Sequence, residues 1–128
     1  EPVYRRLSDQ VAFRFEYLLG SQKTLSAAGS YRMVAELGDQ NGWRRTMELT
    51  PETAFEGKKF TAEGTLDLAE AQTLISILEE QSGVKNEKYS VTIRPEVTVG
   101  GAVGGTPFDD TFKPELAMDL DKYGIMYN

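Results

Sequence analysis

Apolar and polar residues alternate with a period of two along most of the chain, the mark of strands with one face buried and one wet. Val11, Phe13, Phe15 and Tyr17 alternate with Ala12, Arg14 and Glu16, which predicts a first strand. After a polar link from Ser21 to Ser30, Tyr31, Met33, Ala35 and Leu37 alternate with Arg32, Val34 and Glu36. The GDQNG stretch that follows supplies residues tolerant of positive φ, so a hairpin is expected there. Trp43, Met47 and Leu49 keep one parity of the returning strand, and Arg44, Thr46 and Glu48 the other. Arg45 falls on the apolar parity and is expected at an edge or a bulge.

Pro51 closes that strand, and FEGKKFTAEGTL turns through Gly57 into a fourth, where Phe60, Ala62 and Leu66 share one parity and Gly64 interrupts it. DLAEAQTLISILEEQSG is the one helix candidate, over about 67–82. Asp67 suits the N-cap, Glu70 stands three residues on as a capping box requires, and Gly83 is placed to end the helix. Leu68, Ala71, Leu74, Ile75 and Leu78 form the apolar stripe, with Gln72, Ser76, Glu79 and Glu80 facing outward. Tyr89, Val91, Ile93, Pro95, Val97 and Val99 give the longest alternation in the chain. Pro95 cannot donate to a ladder, so it is expected at an edge, a bulge or a switch between sheets. After GGAVGGTP, Phe112, Leu116, Met118 and Leu120 alternate with Lys113, Glu115, Ala117, Asp119 and Asp121, with Pro114 on the apolar parity. Six to seven strands and one helical crossover predict a mainly β chain: a single antiparallel β-sandwich domain over 1–128, immunoglobulin-like or related. No internal repeat or low-complexity segment is visible.

Composition narrows the chemistry more than the fold. The 128 residues contain no Cys and no His, which excludes a Cys nucleophile, a Ser-His-Asp triad, the usual zinc ligand set and His- or Cys-ligated haem. A net charge of -6 opposes a phosphate-binding surface, so no nucleic-acid partner is expected. No apolar run approaches the roughly 20 residues of a membrane helix, and EPVYRRLSDQ lacks the apolar stretch of a signal peptide. The absence of Cys fits either side of a membrane.

The remaining candidates for chemistry each meet a plainer reading. Gly100, Gly101, Gly104 and Gly105 match neither a phosphate loop nor a dinucleotide-binding turn, and read as a hairpin or a bent ribbon. Asp109 and Asp110 are adjacent, so a strand points them to opposite faces. Asp119 and Asp121 lie two apart on one face, about 7 Å along a strand, within reach of a glycosidase-like pairing but equally a charged face that discourages edge pairing. Asp39, Asp109 or Asp110 could serve a calcium ion, although no DxDxDG-like loop is present. Ser21 with Lys23, or Ser90 with Lys88, offers the residue types of a Ser-Lys dyad. Trp43 beside Arg44 and Arg45 is a possible stacking platform, but its parity with Met47 and Leu49 favours core packing. Arg5-Arg6 and Lys58-Lys59 read as solvated surface. No catalytic, cofactor-binding or metal-ligating residue is assigned, and no cofactor is expected.

In order along the chain, GSYRMVAEL, NGWRRTMELTP, FEGKKF, TLDLAEAQTLISILEEQSGV, KYSVTIRPEVTVGGAVGG and DDTFKPELAMDL resemble an uncharacterised prokaryotic family of unknown function. The recurrent features are carried here by Gly29 and Tyr31; Asn41, Gly42 and Trp43; Leu66 and Asp67; Tyr89, Val91, Ile93 and Pro95; and Phe112, Pro114 and Leu116, over about 11–121. The resemblance implies an extracytoplasmic domain flanked by membrane helices, in proteins some of which are associated with signal-peptidase-like partners. It transfers no catalytic residue. The chain is therefore expected to be a non-enzymatic interaction or structural module, excised from a longer membrane-anchored protein, with a protein or cell-surface partner. The alternatives are a carbohydrate- or calcium-binding module, or an accessory domain of a signal-peptidase-like or carboxylate-dependent hydrolase. The sequence selects no oligomeric state.

Overall fold

The computed structural model describes residues 3–7, 10–18, 25–121 and 124–127, with side chains over 10–18, 26–121, 124 and 125. Nine strands and one helix follow in the order β1 (Val3–Leu7), β2 (Gln10–Leu18), β3 (Leu25–Gly38), β4 (Arg44–Glu56), β5 (Lys59–Asp67), α1 (Leu68–Ser82), β6 (Lys88–Val103), β7 (Thr106–Phe112), β8 (Leu116–Asp121) and β9 (Gly124–Tyr127). All pairings are antiparallel. One sheet has the order β1-β2-β5, and the other β4-β3-β6-β8-β9 with β7 also against β6. A constant-type immunoglobulin sandwich places its first, second, fifth and fourth strands on one sheet and its third, sixth and seventh on the other. Here β4 pairs with β3 instead of β5, β7 and β8 together take the seventh place, and α1 carries the chain from one sheet to the other. The fold is an immunoglobulin-like antiparallel sandwich with its fourth strand moved across.

The expected alternation decides which faces meet. Val11, Phe13, Phe15 and Tyr17 from β2, Met33, Ala35 and Leu37 from β3, and Tyr89, Val91, Ile93, Val97 and Val99 from β6 are all buried in one core between the sheets. The end away from α1 is filled by aromatic rings. Tyr31 and Phe60 stack with centroids 4.3 Å apart, and Phe55 and Tyr17 lie 4.5 Å and 5.3 Å from Phe60. Such pairs add to stability beyond the area they bury. Trp43 packs at the margin of the same core, as its parity predicts. Arg45 is exposed on β4, an edge strand.

Five expectations about the strands change, the first being that the link expected from Ser21 to Ser30 is strand from Leu25 onward, where β3 pairs with β6. The count of nine strands exceeds six to seven because β1 and β9 are short strands outside the strong alternation, and because the last long strand is divided at Lys113–Glu115. Pro51 does not close β4. The strand runs on to Glu56, and two register shifts against β3, between Tyr31 and Val34, absorb the proline that an unbroken ladder would reject. Gly64 does not interrupt β5, which pairs with β2 in one register from Lys59 to Asp67. Gly64 lies where the facing sheet comes close: a Cβ there would stand 2.9 Å from Thr50 Oγ1 and 3.0 Å from Met33 Sδ. Beside it the Thr50 hydroxyl donates to the Glu63 carbonyl at 2.5 Å, joining β4 to β5 across the sheets. Finally, Pro95 lies in β6, a central strand with no register shift toward either neighbour, rather than at an edge or bulge.

The turns follow the residues that demand them. Gly104 and Gly105, at φ 56° and 84°, form the two-residue β6–β7 turn, so the glycine cluster is a hairpin. In the β3–β4 turn, Asp39 Oδ1 accepts from the backbone N–H groups of Asn41 and Trp43, both at 2.9 Å. Asp67 caps α1 by accepting from Ala69 N at 2.9 Å and Glu70 N at 3.3 Å, and Gly83 ends the helix at φ 72°.

Candidate functional site

The helix covers one end of the sandwich incompletely. Leu68, Ala71 and Ile75 are buried, Leu74 and Leu78 half-buried, and the second half of α1 stands off the β6–β8 pair to leave a cleft of about 450 Å³. Ile75, Tyr89 and Leu120 form its apolar floor, all three from core-facing positions. Glu79, Glu87 and Asp121 supply carboxylates at its rim, with the amides of Gln72 and Asn86.

Glu79 and Tyr89 join the two walls. The Tyr89 hydroxyl donates to Glu79 Oε2 at 2.9 Å and accepts from the Asn86 backbone N–H at 3.5 Å. Burial, and then the bond to Glu79, hold the Tyr89 phenol above its ordinary 10, against a smaller opposing effect of Asn86. Glu79, expected on the solvent face of the helix, turns instead toward the sheet. It follows Ile75 by four residues, so the helical spacing already places it at the margin of the apolar stripe.

The outer face of the larger sheet carries a second polar arrangement. In register across β3, β6 and the β7–β8 strand stand Ser30, Thr98 and Thr111, then Arg32, Glu96 and Lys113, then Val34, Arg94 and Glu115. Arg32 Nε meets Glu96 Oε1 at 2.5 Å, and Arg94 reaches Glu115 at 3.0 Å, Glu96 at 3.3 Å and Glu36 at 3.6 Å. Arg44 lies 3.8 Å from the other oxygen of Glu36. Beneath these groups Val34 is only 1 % exposed although it faces away from the core, because the long stems around it cover it while their charges stay wet. Burial opposes the charge on Glu96, yet the Arg32 bond and charge, with Lys113 and Arg94, hold its carboxyl below the usual range. Burial likewise opposes the charge on Arg94, and Glu115, Glu36 and Glu96 more than reverse it, so its pKa is raised. A shallow groove of about 450 Å³ crosses this face between Glu52 and Lys113.

The residues singled out from the sequence are dispersed. Asp109 pairs with Gly100 and Asp110 with Val99, so they point to opposite faces as expected, and Asp110 raises the phenol of Tyr17, second to burial. Asp39 adjoins Gly38, which pairs with Ser90; from there to Gly100 is ten residues of β6, roughly 33 Å at about 3.3 Å per residue. Asp39 and Asp109 therefore share no site. Asp121 lines the cleft under the helix, whereas Asp119 lines a separate hollow of about 120 Å³ with Lys88 and Ser90. There Lys88 Nζ lies 3.7 Å from Asp119 Oδ2, and the Ser90 hydroxyl donates to the Gly38 carbonyl at 3.3 Å, so neither partner of that dyad engages the other. Ser21 and Lys23 lie outside the described residues, as do the side chains of Arg5 and Arg6. Lys58 and Lys59 are exposed at the β4–β5 turn. Among the described residues, no three acidic side chains converge as metal ligands, and no helix is long and apolar enough to cross a membrane.

Fold and site together describe an immunoglobulin-like β-sandwich with an incompletely filled cleft beneath its crossover helix. No protein-family model and no curated protein sequence matches the chain. Among solved structures, it is similar to a protein from Archaeoglobus fulgidus, at 11 % identity and a TM-score of 0.40 over 91 % of each chain. At that score the likeness defines neither function nor lineage.

Proposed function

We propose that this chain is a non-enzymatic interaction module, displayed outside the cytoplasm from a membrane-anchored protein. The observation that supports it is the employment of the chemistry-bearing side chains. Asp39 orders a turn, Asp67 caps the helix, Ser90 bonds a backbone carbonyl and Lys88 meets Asp119. Side chains engaged in this way hold the scaffold, and function then falls to its surfaces. The extracytoplasmic display rests on the family resemblance of the strand and turn motifs.

Two measurements test this. The purified chain, screened against peptide and glycan substrates, is expected to turn over none, and turnover abolished by Asp119→Asn would make it a carboxylate-dependent hydrolase. The full-length protein, tagged and expressed in its own host, is expected in the membrane fraction and open to protease added outside the cell. Recovery in the cytoplasmic fraction overturns the display.

A further inference from the structure

We propose that the cleft between α1 and the β6–β8 pair binds an ammonium or guanidinium group carried on an aliphatic stem. The inference rests on the reading of the chain as an interaction module and supplies the chemistry of what it holds. Three observations combine. The floor of Ile75, Tyr89 and Leu120 is apolar and belongs to the core, so an alkyl stem laid on it leaves water. The rim carries the carboxylates of Glu79 and Glu87, whose bonds to a cationic head are stronger than neutral ones. Among the described residues lining the cleft there is no Lys or Arg. On the outer face, by contrast, Glu36, Glu96 and Glu115 all meet arginines, so those three carboxylates are neutralised within the chain.

The geometry favours an elongated amphipathic cation over a bare metal ion. A volume of about 450 Å³ falls in the range of organic-ligand sites, roughly 300–1,000 Å³. The bond from the Tyr89 hydroxyl holds Glu79 against the sheet wall, which sets its carboxylate beside the apolar floor. Net charge of -6 adds a general attraction for cations, which the test must separate from the site.

The cation can come from a free alkylamine or from a Lys or Arg side chain of a protein partner, and the experiment distinguishes them. The 128-residue chain, with labelled methyl groups, is titrated with n-butylammonium chloride and, in parallel, with end-blocked Gly-Lys-Gly, at about 150 mM salt to screen the general attraction. Saturable shifts at the Ile75 and Leu120 methyls are expected. Glu79→Gln and, separately, Glu87→Gln should each weaken binding by roughly tenfold, whereas Asp109→Asn should not. Tighter binding of the tripeptide assigns the site to a protein-borne cation, and tighter binding of butylammonium to a free amine. Shifts that stay linear to tens of millimolar, saturable shifts elsewhere in the molecule, or equal binding of neutral 1-butanol overturn the proposal. Such a failure leaves the module reading standing, because that reading falls on turnover.

Discussion

Pro95 of β6 stands directly opposite Pro114, two residues in from the pairs Val97–Phe112 and Ile93–Leu116. The ladder from β6 to β3 runs unbroken through Pro95 and Met33, which requires that pair to be a non-hydrogen-bonded one, with the donor position of Pro95 facing the other side. On that other side its partner is also a proline, and neither has an N–H. The two bonds of that pair are therefore missing, and the pairs on either side, Arg94 with Glu115 and Glu96 with Lys113, lose the bonds that would define them. This accounts for the break between β7 and β8 without any change of register. It also explains how a central strand tolerates a proline: the deficit is shared with a neighbour that has the same deficit.

Pro114→Val should close the break from one side. The amide introduced at position 114 faces the Pro95 carbonyl, and its bond, worth about 1 kcal/mol, offsets the added freedom of the unfolded chain, about 0.4–1 kcal/mol. Hydrogen exchange should find that amide protected, with unfolding free energy within about 1 kcal/mol of the parent. Exchange at the rate of an open loop would contradict the facing-proline account.

Two glycines should fail by different amounts when given a methyl group. At Gly64 the new Cβ meets side-chain atoms of Thr50, Leu49 and Met33 at 2.9–3.0 Å, and flexible neighbours yield in part, so Gly64→Ala should cost about 1–3 kcal/mol. At Gly29 it would meet the Thr98 carbonyl oxygen at 2.0 Å, which is backbone held in the β3–β6 ladder. Gly29→Ala should be the more damaging in urea titrations, to the point of preventing folding, and the reverse order would mean that the strands separate more easily than the sheets.

Acid should weaken the outer face. Because the folded-state carboxyl of Glu96 titrates below its ordinary 4.5, its contribution is complete above that value and is lost as pH falls through the lower folded one. Glu96→Gln should cost at most about 1 kcal/mol near neutral pH, as expected of a partly wet ion pair. Urea unfolding at neutral and strongly acid pH should show the gap between parent and variant shrinking in acid. A gap independent of pH would mean that packing, and not charge, is what Glu96 contributes.

Alkali should act on the helix clasp. Tyr89 and Tyr17 both titrate above the ordinary 10, so the stability they contribute is full below 10 and is lost as pH rises through their folded values. Tyr89→Phe should remove a late-titrating phenol from an absorbance titration and cost about 1 kcal/mol through the lost bond to Glu79. If the late part of the titration is unchanged in the variant, the Glu79 contact is not formed in solution.

The cleft was far less legible than the fold. Ile75, Tyr89 and Leu120 read as core from their parity, and they are buried; that they also floor a cavity depends on how far the helix stands from the sheet, which no local pattern encodes. Glu79 and Tyr89 are ten positions apart and meet only because α1 crosses between sheets. The paired aspartates, by contrast, are conspicuous in sequence and share no site, because Asp121, at the end of β8, borders the cleft under α1 while Asp119 lines the hollow beside Lys88 and Ser90.

Short stretches of sequence are enough for the local features: the period-two strands, the Asp67 and Gly83 caps, the β3–β4 turn ordered by Asp39 and the glycine hairpin all depend on backbone geometry that a few neighbouring residues dictate. The assembled fold, in contrast, sets the pairing of β4 with β3 rather than β5, the facing of Pro95 and Pro114, the sealing of Val34 beneath arginine and glutamate stems, and the closure of Glu79 on Tyr89. These are contacts between segments far apart in the chain. They follow from which strands lie side by side and in what register, and alternation at a period of two is satisfied equally well by several such arrangements.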